Sequence, residues 1–102
     1  MSVTMPEGVL LVFHLPEGSP PTRHRTFHRR IYGMETSSWG GRYQYHLKGA
    51  LEDIPHVRLY WGVVIVTEED GSRTTRLLRE QGAEVVTRRI LLTKSDQGKL
   101  RG

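Results

Sequence analysis

Acidic side chains follow the two most apolar stretches of the chain, where they could bind a divalent cation. Glu17 comes after the run GVLLVFHL at 8–15, and Glu68, Glu69 and Asp70 follow the run at 59–67. Carboxylate oxygens bind Mg²⁺ and help it activate water for phosphodiester attack. Glu17, Glu68 and Asp70 are therefore candidate catalytic residues of a metal-dependent endonuclease. The alternative is that these acids stabilise helix N-termini, and then we expect no cofactor.

Arginine dominates the basic residues and indicates an anionic partner. Twelve of the 15 basic residues are arginine, the formal net charge is +4 and the isoelectric point is near 9.9. The planar guanidinium group binds phosphate through two parallel hydrogen bonds. The alternative is that these arginines form salt bridges with acidic residues on a solvated surface and bind no external anion. Both interpretations stay open. The candidates for nucleic-acid binding are Arg23, Arg25, Arg29, Arg30, Arg42, Lys48, Arg73, Arg76, Arg88 and Arg89.

Other chemistry is restricted by composition. The absence of cysteine excludes disulfides, thiolate zinc sites and cysteine nucleophiles. His24 and His28 have the i, i+4 spacing of two helical metal ligands, but no third ligand is evident and no glutamate follows the first histidine. We therefore assign no metal ligands.

Hydrophobic periodicity predicts an α+β domain over residues 1–93. Continuous apolar runs predict two strands, alternation predicts two more, and the glycines at 33 and 82 end two helices. The predicted strands are 8–15, 41–48, 59–67 and 84–93, the predicted helices are 20–32 and 71–81, and a flexible tail follows at 94–102. This β-α-β-β-α-β order predicts a ferredoxin-like, four-stranded antiparallel-type sheet with both helices on one face.

The same topology predicts where the acidic residues lie. We expect the two apolar strands to be parallel neighbours at the centre of the sheet. Their C-terminal ends would then bring Glu17 close to Glu68 and Asp70.

The two apolar strands offer one apolar face more than a two-layer domain needs. A second copy of the chain could cover that face, which favours a homodimer. Alternatively, Phe13, Tyr60 and Trp61 could stack on the bases of single-stranded RNA, or the chain's own tail could cover the sheet.

The strand ending VFHLPE, the arginine-rich helix and the closing segment VVIVTEEDGSRTTRLLREQGAEVVTRRILL resemble a known family over residues 8–93. They are similar to the small CRISPR-associated dimer of the spacer-acquisition complex and to the C-terminal domain of phenylacetate-pathway repressors. The resemblance implies a dimer that supports duplex nucleic acid. In that family the first strand commonly ends in an aspartate implicated in metal-dependent nuclease activity. His14 occupies the comparable place here, with Glu17 three residues later, which argues against catalysis.

The sequence therefore predicts a non-enzymatic, nucleic-acid-binding homodimer. A metal-dependent endonuclease that requires Mg²⁺ is one alternative. A module that binds protein through an edge strand at Tyr43 to Lys48 is another. No segment reaches the roughly 20 apolar residues of a membrane span and the N-terminus does not resemble a signal peptide, so we expect no membrane partner and a cytoplasmic location.

Overall fold

The computed structural model describes residues 6–38 and 43–101, with main chain only for 35–38 and 43–45. Within these ranges the chain forms six strands and three α-helices. The strands are β1 (Glu7–His14), β2 (Met34–Ser38), β3 (Tyr43–Leu47), β4 (His56–Tyr60), β5 (Val63–Thr67) and β6 (Glu84–Leu91). The helices are α1 (Pro21–Tyr32), α2 (Gly71–Glu80) and α3 (Lys94–Leu100). Short 3₁₀ turns occupy Ala50–Asp53 and Glu68–Asp70.

The main sheet is four-stranded and antiparallel, in the order β4-β5-β1-β6. The α+β class and the antiparallel sheet agree with the sequence prediction. The expected parallel pairing of the two central strands is wrong, because β1 and β5 run antiparallel, with Gly8 opposite Thr67 and Val12 opposite Val63. The end of β5 therefore lies beside the start of β1.

The apolar run at 59–67 is a hairpin, not one long strand. The chain turns at Trp61 and Gly62, and Gly62 has φ +81°, a conformation that residues with a side chain rarely adopt. The turn is fixed on both sides: the Phe13 amide donates to the Gly62 carbonyl at 2.8 Å, and the Gly62 amide donates to the Tyr32 hydroxyl at 2.8 Å. This turn reverses the chain direction and makes β5 antiparallel to β1.

The main core lies between the sheet and the first two helices. Leu11, Val64 and Val66 of the central strands pack in one cluster with Ile31 of α1 and Leu78 of α2. All five side chains are fully buried. Helix α1 ends at Gly33, as predicted, and the Gly33 amide donates to the Arg29 carbonyl.

The other face of the sheet is partly covered by α3, at residues where the sequence predicts a flexible tail. Thr93 and Asp96 form a capping box at the start of this helix. Leu100 packs with Val57 and Ile65 in a second cluster. The predicted number of two helices is therefore wrong, although the two predicted helices, α1 and α2, do pack against one face of the sheet.

Strands β2 and β3 form a separate two-stranded sheet. The predicted strand at 41–48 corresponds to β3, which pairs with β2, with Thr36 opposite Tyr45. The sequence predicts this strand at an edge of the main sheet, and that prediction is wrong. Nowhere in the described ranges is a helix long and apolar enough to cross a membrane.

Candidate nucleic-acid interface

Helix α1 carries the most basic surface of the described chain. Its sequence, PTRHRTFHRRIY, contains four arginines and no acid. The prolines at 20 and 21 fit its first turn, where no intrahelical amide bond is lost. Phe27 and Ile31 are buried against the sheet, which turns the remaining positions outward. The arginines Arg23, Arg25, Arg29 and Arg30 are all exposed.

Among the side chains that the structure describes, none of the α1 arginines has a carboxylate partner. Most ion pairs there involve other predicted contact residues: Lys48 binds Asp53 at 2.7 Å, Arg73 binds Asp70 at 2.9 Å and Arg89 binds Glu68 at 3.1 Å. An arginine without an internal acid keeps its donors available for an external anion. The arginines of α1 therefore have more hydrogen-bond donors available for phosphate than Lys48, Arg73 and Arg89 have.

The basic surface continues from α1 towards α2. A side chain at Gly82 would lie 2.7 Å from the Arg23 guanidinium, so the start of α1 is close to the turn that follows α2. Beside that turn, α2 and β6 form an open groove of about 780 Å³. Its lining includes Arg76, Arg79 and Arg89, together with hydroxyl and acidic side chains.

The other predicted contact residues have mixed positions. The Arg88 guanidinium donates to the Thr87 carbonyl at 2.7 Å and is otherwise exposed. The ammonium group of Lys48 is held by Asp53, whose hydrogen bond and charge raise the pKa of Lys48 above its ordinary value. Arg42 lies outside the described residues.

An aromatic cluster adjoins the other flank of α1. Trp61, in the turn between β4 and β5, contacts the rings of His28 at 5.2 Å and Tyr32 at 4.9 Å between centroids, both nearly perpendicular to it. The Arg58 guanidinium lies over the Trp61 ring, 4.6 Å from its centroid. Trp61 nevertheless remains 52% exposed. Arg58 could not be identified from the sequence, because its aromatic partner in α1, Tyr32, is 26 residues away. Only the fold brings the two residues together.

The three aromatic candidates for base stacking do not share a surface. Phe13 is only 3% exposed and contacts Phe27 of α1, so it is in the core. Tyr60 is exposed, at a position paired with Val63. Trp61 lies beside α1 instead. The predicted three-residue platform is therefore wrong, because the turn and the alternation of β1 direct these side chains to different places.

His28 is a partly buried histidine on the aromatic flank of α1. Burial lowers the pKa of His28 below its ordinary value of 6.5, and the charge of His24 lowers it further. The buried Nδ1 atom has no hydrogen-bond partner in the described part of the protein. Protonation of this ring is therefore unfavourable in the folded state.

Acidification from about pH 7.5 to about pH 5.5 is expected to destabilise the wild type more than a His28→Gln variant. Below pH 6.5 His28 is protonated in the unfolded chain, whereas in the folded chain its lower pKa keeps it neutral to a more acidic pH. The unfolded state therefore binds more protons in this range, so the free energy of unfolding falls as the pH falls. His46 lowers the pKa of Glu52 from 4.5, which affects stability only at more acidic pH. Urea denaturation at both pH values measures the difference. An identical pH dependence in the two proteins would contradict the prediction.

The candidate catalytic acids lie at opposite ends of the sheet. Glu68 follows β5, beside the start of β1, where Arg89 bridges it to Glu7 at 3.1 and 3.8 Å. Asp70 binds Arg73, while Glu17 follows the far end of β1. The eight residues of β1 separate those ends by about 23 Å. The expected proximity of Glu17 to Glu68 and Asp70 is therefore wrong, so these three residues cannot share one metal ion.

Other acidic and histidine residues do not replace that set. Among the described residues, no three His, Cys, Asp or Glu side chains are grouped so that they could hold a metal ion. His24 and His28 belong to one helix, with His28 inside the aromatic cluster. The endonuclease hypothesis therefore has no assembled carboxylate site in this part of the chain.

A row of apolar side chains remains exposed on the face that α3 partly covers. Tyr60, Val63, Val12 and Val86 occupy paired positions across all four strands. Val12 is 39% and Val86 48% exposed. We call these four residues the apolar row. The sequence predicts that the second apolar face of the sheet is covered. The apolar row is the part of that face that remains exposed.

Comparison with protein-family models, curated proteins and solved structures finds no match to this chain. The resemblance to the CRISPR-associated dimer family therefore stays a prediction.

Proposed function

We propose that this protein is a non-catalytic homodimer that binds nucleic acid through arginine contacts to phosphate. The observation that carries the proposal is the acid-free helix α1, with four exposed arginines and no ion pair to any described residue. Such a surface is suited to a repeating anion, because each guanidinium can bind one phosphate without breaking an internal contact. Arg76 and Arg79 line a separate groove beside α2, and Arg23 of α1 approaches the turn that follows α2.

The fold proposal that accompanies this function is a ferredoxin-like domain with two additions. When the β2–β3 hairpin and α3 are set aside, the order β1-α1-β4-β5-α2-β6 is β-α-β-β-α-β. The two strands that precede α1 and α2 are then the central pair. This arrangement supports the proposed relationship to the CRISPR-associated dimer family, from which a role in supporting duplex nucleic acid would follow.

Binding to labelled duplex DNA and structured RNA, measured by electrophoretic mobility across a range of salt concentrations, tests the proposed function. Each arginine that binds a phosphate contributes about −0.9 to the slope of log K against log salt. Four contacts from α1 would therefore give a slope of about −3.6. Binding with such a slope supports the proposal, whereas no binding at low salt would overturn it. The experiment is repeated with Mg²⁺, and cleavage of either probe would contradict the non-catalytic assignment.

The homodimer is proposed to form through the apolar row. Its four side chains run across the whole sheet, and a symmetric dimer would bury the row of each copy against the other. Two rows of arginines would then lie on the outer faces of the dimer, available for phosphate.

A Val86→Glu substitution is expected to convert the dimer into a monomer at micromolar concentration. The new carboxylate would be desolvated in the interface, which costs several kcal/mol for an unpaired charge. Leu91→Glu is the matched control, because Leu91 is also exposed on β6 but alternates to the other face. Sedimentation velocity measures both variants, and Tyr60→Glu repeats the test from the opposite edge strand. A wild-type monomer, or equal effects of Val86→Glu and Leu91→Glu, would overturn this interface.

A further inference from the structure

Trp61 is a large aromatic side chain that the fold holds at the surface instead of burying. The turn that carries it is fixed by hydrogen bonds from Gly62 to Tyr32 and from Phe13 to Gly62. Two further rings and the Arg58 guanidinium restrain the indole itself. A ring that is already ordered loses little conformational entropy when a ligand stacks on it. Its 52% exposed surface is therefore suited to binding a flat ligand.

The helical periodicity of α1 places two arginines on the flank that faces Trp61. At 100° per residue, Arg25 and Arg29 lie next to the side formed by His28 and Tyr32, the residues that contact Trp61. Arg23 and Arg30 lie on the opposite flank, and Arg23 approaches Gly82 there. The helix therefore has a flank beside the indole and a flank beside α2.

The surroundings of Trp61 combine an exposed aromatic ring with cations. Arg25 and Arg29 have no carboxylate partner in the described chain, and Arg58 lies over the ring itself. A nucleotide whose base is unpaired offers the complementary chemistry, since its base stacks on an aromatic ring while its phosphate binds guanidinium groups. A fully paired duplex offers the phosphates, but its bases are stacked within the helix.

We propose that Trp61 stacks on an unpaired base, with Arg25 and Arg29 on the adjoining phosphates, so that the protein prefers nucleic acid that contains a single-stranded segment. This inference rests on the proposed nucleic-acid function and specifies its ligand. The binding surface is the Trp61 ring with the adjacent flank of α1.

The test compares two fluorescent DNA probes in low salt: a blunt hairpin, and the same hairpin with a short unpaired thymidine extension. One stacked base contributes enough to change affinity by about 5- to 150-fold. We expect the wild type to prefer the extended probe by a factor in this range. Trp61→Phe keeps an aromatic ring and should retain most of the preference, whereas Trp61→Leu should lose most of it and keep only the part that Arg25 and Arg29 contribute.

Paired arginine variants locate the phosphate contacts. Arg25→Gln with Arg29→Gln should reduce binding of the extended probe more than binding of the blunt probe. Arg23→Gln with Arg30→Gln removes the same charge from the other flank and should weaken both probes alike. Equal behaviour of the two pairs would overturn the assignment of Arg25 and Arg29 to this site.

A fluorescence measurement does not depend on whether Trp61→Leu folds. The chain has two tryptophans, and a Trp39→Phe variant leaves Trp61 as the only one. Stacking should quench its emission when the extended probe is added, with less change for the blunt probe. Binding of both probes without preference and without selective quenching would overturn this inference and leave the proposed function intact. Failure to bind either probe at low salt would overturn both.

Discussion

Replacing all four arginines of α1 with glutamine is expected to lower the affinity for nucleic acid by about three to four orders of magnitude at about 0.1 M salt. Each lost phosphate contact lowers the number of counterions released on binding by nearly one. This lowers the binding constant about eightfold at that salt concentration. The slope of log K against log salt should become less steep by about 3.6. Glutamine preserves helix propensity, so the helix itself should remain.

The structure predicts that this loss occurs without unfolding. The four arginines are exposed and have no ion pair with a described residue, so their removal breaks no described internal electrostatic contact. Exposed substitutions of this kind usually change stability by less than about 0.5 kcal/mol each. Urea denaturation of the quadruple variant should therefore resemble that of the wild type.

A control on the other face of the sheet separates a local interface from general charge attraction. Helix α3 and its C-terminal end carry Lys94, Lys99 and Arg101, all exposed. Glutamine at these three positions should lower affinity by less than about tenfold, because a distant charge acts only through the screened field of the protein. If the α3 variant loses as much affinity per charge as the α1 variant, the interface is not on α1.

Helices α1 and α2 and strands β1 and β6 could be predicted because their signals are local. Proline near the start of α1 and glycine after its end bound that helix, as they do in other proteins. Phe27 and Ile31 of that helix contact the sheet, and His28 contacts the turn at Trp61. The alternation in 84–91 likewise corresponds to β6.

The turn at Trp61 was missed because apolar residues continue on both sides of it. A two-residue turn usually contains Asn or Asp beside glycine, whereas here a tryptophan precedes a single glycine. The wrong strand direction has a separate cause, because neighbouring strands of an antiparallel sheet run in opposite directions and its two central strands cannot be parallel. The acids after β5 were consequently expected beside Glu17, although they lie beside Glu7.

Other parts of the candidate site differ in how far the sequence could reveal them. The spacing of Thr93 and Asp96 is that of a capping box and could have indicated α3. The packing of Trp61 on His28 and Tyr32 depends on residues about 30 positions apart, which periodicity alone does not connect. Which arginines lack a carboxylate partner also depends on the fold, because ion pairs such as that of Arg89 join different strands.

A Gly49→Ala substitution is expected to destabilise the folded protein by more than about 4 kcal/mol. Gly49 follows β3, where the chain returns to the body of the domain and passes the end of α1. A methyl group there would lie 2.5 Å from the Ile31 carbonyl oxygen and still closer to main-chain atoms of Tyr32 and Gly33. The surrounding atoms belong to the backbone, so no side chain can rotate away. A typical domain has only about 5–15 kcal/mol of stability, so this loss should leave a large unfolded fraction.

Gly98→Ala is the matched control for the same chemical change. No atom lies within 4 Å of the position that its methyl group would occupy, and Gly98 is inside α3. Alanine should stabilise that helix by about 0.5–1 kcal/mol, because it loses less conformational freedom on folding. Urea denaturation of both variants gives the comparison. Wild-type stability of the Gly49 variant would mean that α1 and the end of β3 are farther apart in solution.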